Sequence, residues 1–244
     1  MGTTLDRRRQ NRVNLHAIGT PPRAWDGFDA YLFDVDGTLI NCRDAVHYFA
    51  FCSALKLLSG RELNLDGVVA HGNTDIGILR DALALAGIPE SQWRPHLENI
   101  CGDMCRQVSE QRDHICAEVL PGVRNVLAHL RRRGAILGIA TGNLKGIGAL
   151  KLERAGILDP FHFAAFSDGL EYRSDVYHRA IAETHRIAGP RASICAIGDT
   201  PADIRAARDH SLSVIAVATG IHSFDSLSSA QPDLCLSSLD QLPC

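Results

Sequence analysis

Residues Tyr31–Leu39 read YLFDVDGTL. Tyr31, Leu32 and Phe33 form a short apolar run of the kind that builds a buried strand. The run stops at Asp34, and Val35, Asp36, Gly37 and Thr38 follow. Paired carboxylates at the end of a buried strand are costly unless a positive charge sits on them. A divalent cation such as Mg²⁺ suits the position, because it favours hard oxygen ligands and few carboxylates. Gly37 frees the backbone to turn away sharply.

Outward from this stretch the chain changes character. Residues 1–25 are polar and basic, with Pro21-Pro22 before Trp25, and read as a mobile tail whose Arg7, Arg8 and Arg9 are solvated. After the strand Asp29–Asp34 comes a block from Asn41 to Ala117 with no convincing strand. Within it, Ala45, Phe49, Cys52, Leu55 and Leu58 recur at helical spacing before Gly60. TDIGILRDALALAG follows, with Thr74 as N-cap and Gly87 as the stop. From Leu120-Pro121-Gly122 onward the pattern alternates. Short apolar strands are expected at 135–140, 163–166, 193–197 and 212–217, with an edge strand at 234–236. Helices are expected at 123–133, 144–155, 175–188 and 201–209. The triple arginine at Arg131–Arg133 lies in a last helical turn, where it complements the helix dipole.

This alternation predicts an α/β fold: a Rossmann-like, mostly parallel sheet with helices on both faces. The expected domains are a tail (1–25), an α/β core (26–40 and 118–244) and an inserted, all-helical cap (41–117). The chain of 244 residues has 45% hydrophobic content, enough for a sizeable core, and a net charge of −3 that gives no global reason to bind nucleic acid or membrane. No run of 18 apolar residues marks a membrane span. No apolar signal segment follows the first arginines. Of the eight cysteines, Cys52, Cys101, Cys105, Cys116 and Cys195 sit in apolar or helical patterns, so free thiols in a reducing cytoplasm are expected. Cys101 and Cys105 share a helix face near His96 and His114, a spacing that leaves a zinc site open.

In parallel sheets ligands bind beyond the C-terminal strand ends, and polar residues gather there. AILGIA is followed by Thr141-Gly142-Asn143 and a helix, which suggests an anion site built from a hydroxyl and free backbone N–H groups. SICAIG is followed by GDTPAD, which puts Asp199 at a strand end and Asp203 one helical turn on.

DVDGTL, the Thr of TGN and GDTPAD resemble, in order, the first, second and fourth motifs of the haloacid dehalogenase (HAD) superfamily, over about residues 29–217. The passage GNTDIGILRDAL resembles the helical cap of its phosphoglycolate phosphatase-like and β-phosphoglucomutase-like members. The third motif departs: the usual Lys-Pro is missing from FSDGLEYRSDVYHRAI, and the cation in register is Arg173, with Arg179 as the fallback. Arginine supplies charge and a fork but does not equal lysine.

The resemblance implies a Mg²⁺-dependent phosphatase acting on a small phosphorylated metabolite through an aspartyl-phosphate on Asp34. Asp36 would be the acid and base. Mg²⁺ would be held by Asp34, the Asp36 carbonyl and Asp199, supported by Asp203. Thr141 and Arg173, with Gly37, Thr38, Gly142 and Asn143, would hold phosphate. Asn41 and Arg43 at the mouth, with His71, Asn73 and Thr74 of the cap, would read the organic part. A monomer or homodimer in the cytoplasm, without nucleic acid or membrane partners, is expected. The alternatives are a phosphomutase, which shares the same groups, and a non-catalytic binding protein on the same fold. Asp36 argues against a 2-haloacid dehalogenase. A phosphonate hydrolase would need a Schiff-base lysine in the cap, and Lys56, the only cap lysine, sits in an apolar stretch.

Overall fold

The computed structural model describes residues 23–244. The stretch Ala30–Phe33 forms β1, buried along its whole length. The other strands of its sheet are β4 (Ile136–Ala140), β5 (Phe163–Ala165), β6 (Ile194–Gly198), β7 (Ser213–Val217) and β8 (Leu234–Leu236). The six strands lie in the order β5-β4-β1-β6-β7-β8, and each neighbouring pair is parallel.

Side chains alternate across a strand, so Tyr31 and Phe33 enter one apolar core with Leu137, Ile139 and Ile197. Ala30 and Leu32 enter another, with Ala196, Val214 and Ala216. Helix α5 (Val123–Arg132) covers the first face, and α7 (Arg173–Ala188) and α8 (Pro201–Asp209) cover the second. Helix α6 (Lys145–Ala155) gives Leu152 and Ala155 to the first core, and a short helix, Phe224–Ser229, not anticipated from the sequence, packs on the second. Trp25, at the end of the expected tail, is packed: its ring stacks on His129 at 5.2 Å, and its carbonyl accepts from the Tyr31 hydroxyl at 2.8 Å. Residues 1–22, including the arginine run, lie outside the described residues.

Two strands were not legible. β2 (Ile40–Cys42) and β3 (Ala117–Val119) pair antiparallel. Each has three residues, too few for alternation to register. Between them the described chain is helical: α1 (Val46–Ser59), α2 (Asp75–Leu85), the single turn α3 (Glu90–Trp93) and α4 (Leu97–Glu110). These helices share an apolar core that also takes Ile147 and Leu150 from α6 and Leu144 just before it.

Helix α1 is turned relative to the expected stripe. Its buried face is Val46, Ala50, Phe51, Ala54, Leu55 and Leu58, while Phe49 is 58% exposed. Thr74 does cap α2, accepting from Gly77 N at 2.9 Å. Among the described residues no helix is long and apolar enough to cross a membrane.

Candidate active site

Because β1 lies between β4 and β6, the residues after these three strands meet. A cavity of about 490 Å³ opens there, and its floor includes Asp34, Asp36, Thr141, Asn143, Arg173 and Asp199.

Asp34 is 6% exposed. Its Oδ1 accepts from Arg173 Nη2 at 2.5 Å, and the same nitrogen donates to Asp203 Oδ1 at 2.5 Å. Burial, together with the nearby Asp203 and Asp36 charges, raises the Asp34 carboxyl to about 6 although Arg173 pulls the other way. Arg173 thus reaches the cluster from the first turn of α7, and its buried Nε–H has no acceptor among the described residues. Arg179, the fallback, is spent on the Phe166 and Asp168 carbonyls.

Oxygens of Asp34, Asp199 and Asp203 lie within 4.8 Å of one another. The three differ in how far protein donors satisfy them. Asp203 is filled: Oδ2 accepts from Thr200 N and Oγ1, closing a capping box on α8, and Oδ1 takes Arg173. Among the described residues, Asp199 accepts only from Thr38 Oγ1, at 3.1 Å. Burial and the Asp34 and Asp203 charges push its carboxyl well above the usual range. A Cβ on Gly37 or Gly220 would fall 2.3 or 1.8 Å from Asp199 Oδ2, so both glycines leave room for that carboxylate. Asp34 and Asp199, two buried carboxylates of one cluster of which only Asp34 is paired with Arg173 among the described residues, form a donor set that fits a hard divalent cation.

Asp36 has its own cation, which the sequence reading missed. Lys151 Nζ lies 2.9 Å from both carboxylate oxygens and donates to Asn143 Oδ1 at 2.9 Å. Asn143 Nδ2 completes the ring, donating to Asp36 Oδ2 at 2.7 Å and Thr141 Oγ1 at 2.8 Å. Burial works against the Asp36 charge, but Lys151 and Asn143 overcome it and hold its carboxyl below the usual range. His47 Nδ1 lies 3.2 Å from the same ammonium.

The expected free helix N-terminus is already occupied. Leu144 N donates to Asp75 Oδ2 and Lys145 N to Asp168 Oδ2, each at 2.8 Å. What faces the cavity is the Thr141-Gly142-Asn143 turn rather than the first turn of α6. A Cβ on Gly142 would fall 2.0 Å from Asn73 O, and Asp75 N donates to Gly142 O at 2.7 Å. The start of α2 is therefore seated on this turn.

Of the expected substrate-reading residues, Asn41, His71 and Asn73 line the cavity, and the other two, Arg43 and Thr74, are corrected, as is Thr38 among the expected phosphate-holding residues. Arg43 turns to Glu118 at 3.0 Å, because Glu118 faces Asn41 across the β2–β3 ribbon. Thr74 is fully buried, its hydroxyl accepting from Gly77 N and donating to Glu171 O. Thr38 is spent on Asp199. Asn73 also serves the cap more than the cavity, with Oδ1 on Thr74 N and Nδ2 on Asp81. Beyond the prediction, Tyr48, Phe51, Leu65, Ile78 and Gly220 line the space. Gly220 follows β7, so the strand-end rule could have found it.

A family profile described as haloacid dehalogenase-like hydrolase matches residues 28–210. The phosphoglycolate phosphatase of Nitrosococcus oceani is 27% identical over 86% of this chain and 93% of its own length. A putative haloacid dehalogenase-like hydrolase from Bacteroides fragilis superposes with a TM-score of 0.68 at 18% identity, covering 88% of this chain and all of that one (100%). The β-phosphoglucomutase of Clostridium difficile superposes at 0.63 with 18% identity, over 88% and 93% of the two chains.

Proposed function

Because this chain belongs to the haloacid dehalogenase-like hydrolases, we propose that it hydrolyses a small phosphate monoester in two steps through a phosphorylated Asp34. The observation that carries this reading is Asp34 itself: a buried carboxylate at a strand end, lining a cavity, with Arg173 on one oxygen. The relatives named above point the same way.

In the first step an Asp34 oxygen attacks phosphorus and the ester P–O bond breaks, with Asp36 giving a proton to the departing oxygen. In the second, water attacks the phosphoryl group and returns a proton to Asp36; the Asp34–phosphorus bond breaks and phosphate leaves. Lys151 and Asn143 favour the ionised Asp36, the form that accepts the proton from water. Arg173, with a free Nε–H, and the Thr141 hydroxyl bind the phosphoryl oxygens, where fixed donors stabilise charge that shifts during transfer. Asp203 orients Arg173.

Mg²⁺ would be held by Asp34 and Asp199, with the Asp36 carbonyl, and would neutralise phosphoryl charge. The cap wall confines the ester and limits bulk water.

The test is phosphate release from a panel of small esters in Mg²⁺ by wild type and Asp34→Asn. The variant is expected to stay folded and lose turnover. Near wild-type release by that variant would remove Asp34 as the nucleophile, and no release from any ester by wild type would remove the hydrolase reading.

A further inference from the structure

Where the cavity leaves the phosphate floor its walls become apolar. Phe51 and Ile78 are 4% and 5% exposed, and with Tyr48, Leu65 and Ala70 they line the cap side. Among the described residues, the lining side chains able to carry positive charge are Lys151, Arg173, His47 and His71. Lys151 is committed to Asp36 and Asn143. Arg173 is committed to Asp34 and Asp203. His47 stands between Lys151 and Asp75, with Nε2 3.3 Å from Asp75 Oδ2. His71 is exposed at the rim. The nearby arginines are spent outside the cavity: Arg43 on Glu118, and Arg80 on Asp81 and Glu171. The lining also carries two further carboxylates, Asp44 and Asp75.

Resting on the phosphatase reading, we infer that the substrate is the phosphate monoester of an uncharged alcohol with an apolar body, and that a second acidic group on the alcohol is rejected. A carboxylate brought into this space would lose water, meet Asp44 and Asp75, and find Lys151 held by Asp36 and Arg173 held by Asp34, Asp203 and, through its remaining Nε–H, the phosphoryl group. An alkyl or aryl body would instead lie against Tyr48, Leu65 and Ala70, with Phe51 and Ile78 behind them, and gain from leaving water. Hydroxyl groups on that body would find Asn41 and the Tyr48 hydroxyl at the mouth, as hydrogen-bonding partners that ask for no charge. The discrimination is by repulsion as much as by fit, which is how a site refuses a close analogue.

Two matched pairs of probes test this: phenyl phosphate against 4-carboxyphenyl phosphate, and ethyl phosphate against phosphoglycolate. Each pair differs chiefly by one carboxylate. The uncharged member should have the higher kcat/KM, by about tenfold or more in both pairs. Leu65→Lys, which adds a cation to the cap wall, should shift each ratio toward the acidic member by about tenfold. Equal or better kcat/KM for the acidic members in wild type overturns the inference, as does a Leu65→Lys variant with unchanged ratios. Calorimetric binding of the aryl pair to Asp34→Asn separates this from the catalytic reading. Tighter binding of phenyl phosphate without wild-type turnover would sustain the substrate class and remove the hydrolase. Equal binding of both, or of neither, would overturn the substrate class whatever the turnover.

Discussion

Lys151→Met removes an ammonium whose side chain is 7% exposed and which grips Asp36 and Asn143 at 2.9 Å. Breaking a buried ion pair by deleting one partner costs about 3–5 kcal/mol, because the other charge is left uncompensated. Asp36 keeps 40% side-chain exposure toward the cavity, so water can reach it and the cost drops to or below the bottom of that range, at about 2–3 kcal/mol. For a chain of this size each kcal/mol lowers Tm by roughly 2–4 °C, which gives a fall of roughly 4–12 °C. The loss belongs to the pair, so Asp36→Asn in the same chain should recover much of it. The double variant should then be more stable than the sum of the singles by more than about 1 kcal/mol. Thermal unfolding of the four proteins reads the coupling. Phosphate release reads its consequence: turnover should fall in Lys151→Met, since Asp36 would be held by Asn143 alone. A double variant additive to within about 0.5 kcal/mol would refute the argument, as would full stability of Lys151→Met.

Arg173→Ala should lower kcat by about 10²–10³, the scale of one lost electrostatic contact in the transition state, and Arg173→Lys should restore part of it; a silent Arg173→Ala beside a crippled Arg179→Ala would reverse the assignment. Phosphate release should require Mg²⁺ and be inhibited by Ca²⁺, which takes more ligands at longer distances; full activity in excess chelator would contradict this. Asp26, hydrogen-bonded to His129 at 2.9 Å, has its carboxyl held below the usual range by that bond. A depressed folded value stabilises above the unfolded carboxyl's pKa of about 3.9 and is lost as pH falls through the folded value. Asp26→Asn should therefore lower Tm at pH 7 and approach wild type near pH 3, and a Tm gap independent of pH would count against it.

What the sequence disclosed of the fold follows from where periodicity is strong. Strands of the parallel sheet are buried on both faces and read as continuous apolar runs, so β1, β4, β6 and β7 fell within a residue or two of their observed bounds. Caps were equally plain: Thr74, Pro201 and Gly60 stand where expected. Periodicity failed where one turn carried two apolar stripes. In α1 the residues Ala45, Phe49 and Cys52 compete with Val46, Ala50 and Ala54, and only contact with the neighbouring helices decides which face turns inward. The β2–β3 ribbon was hidden because its pairing is non-local, joining residues on either side of the whole helical block.

The site divides along a similar line. Asp34, Thr141, Asp199 and Arg173 are held by backbone at strand ends or helix starts, so a rule about chain position reaches them. Lys151 does not obey that rule. It lies in the middle of α6, on the face shared with Ile147 and Ala155, and enters the site only through the length of its side chain. A lysine at an apolar register position was the available signal, because such a residue is buried only when a partner waits for it. That partner also explains how the site tolerates so many acids. Asp36 is neutralised by Lys151, and Arg173 is shared between Asp34 and Asp203. Among the described residues Asp199 is left with one hydroxyl donor, so its charge is the one a bound cation would balance.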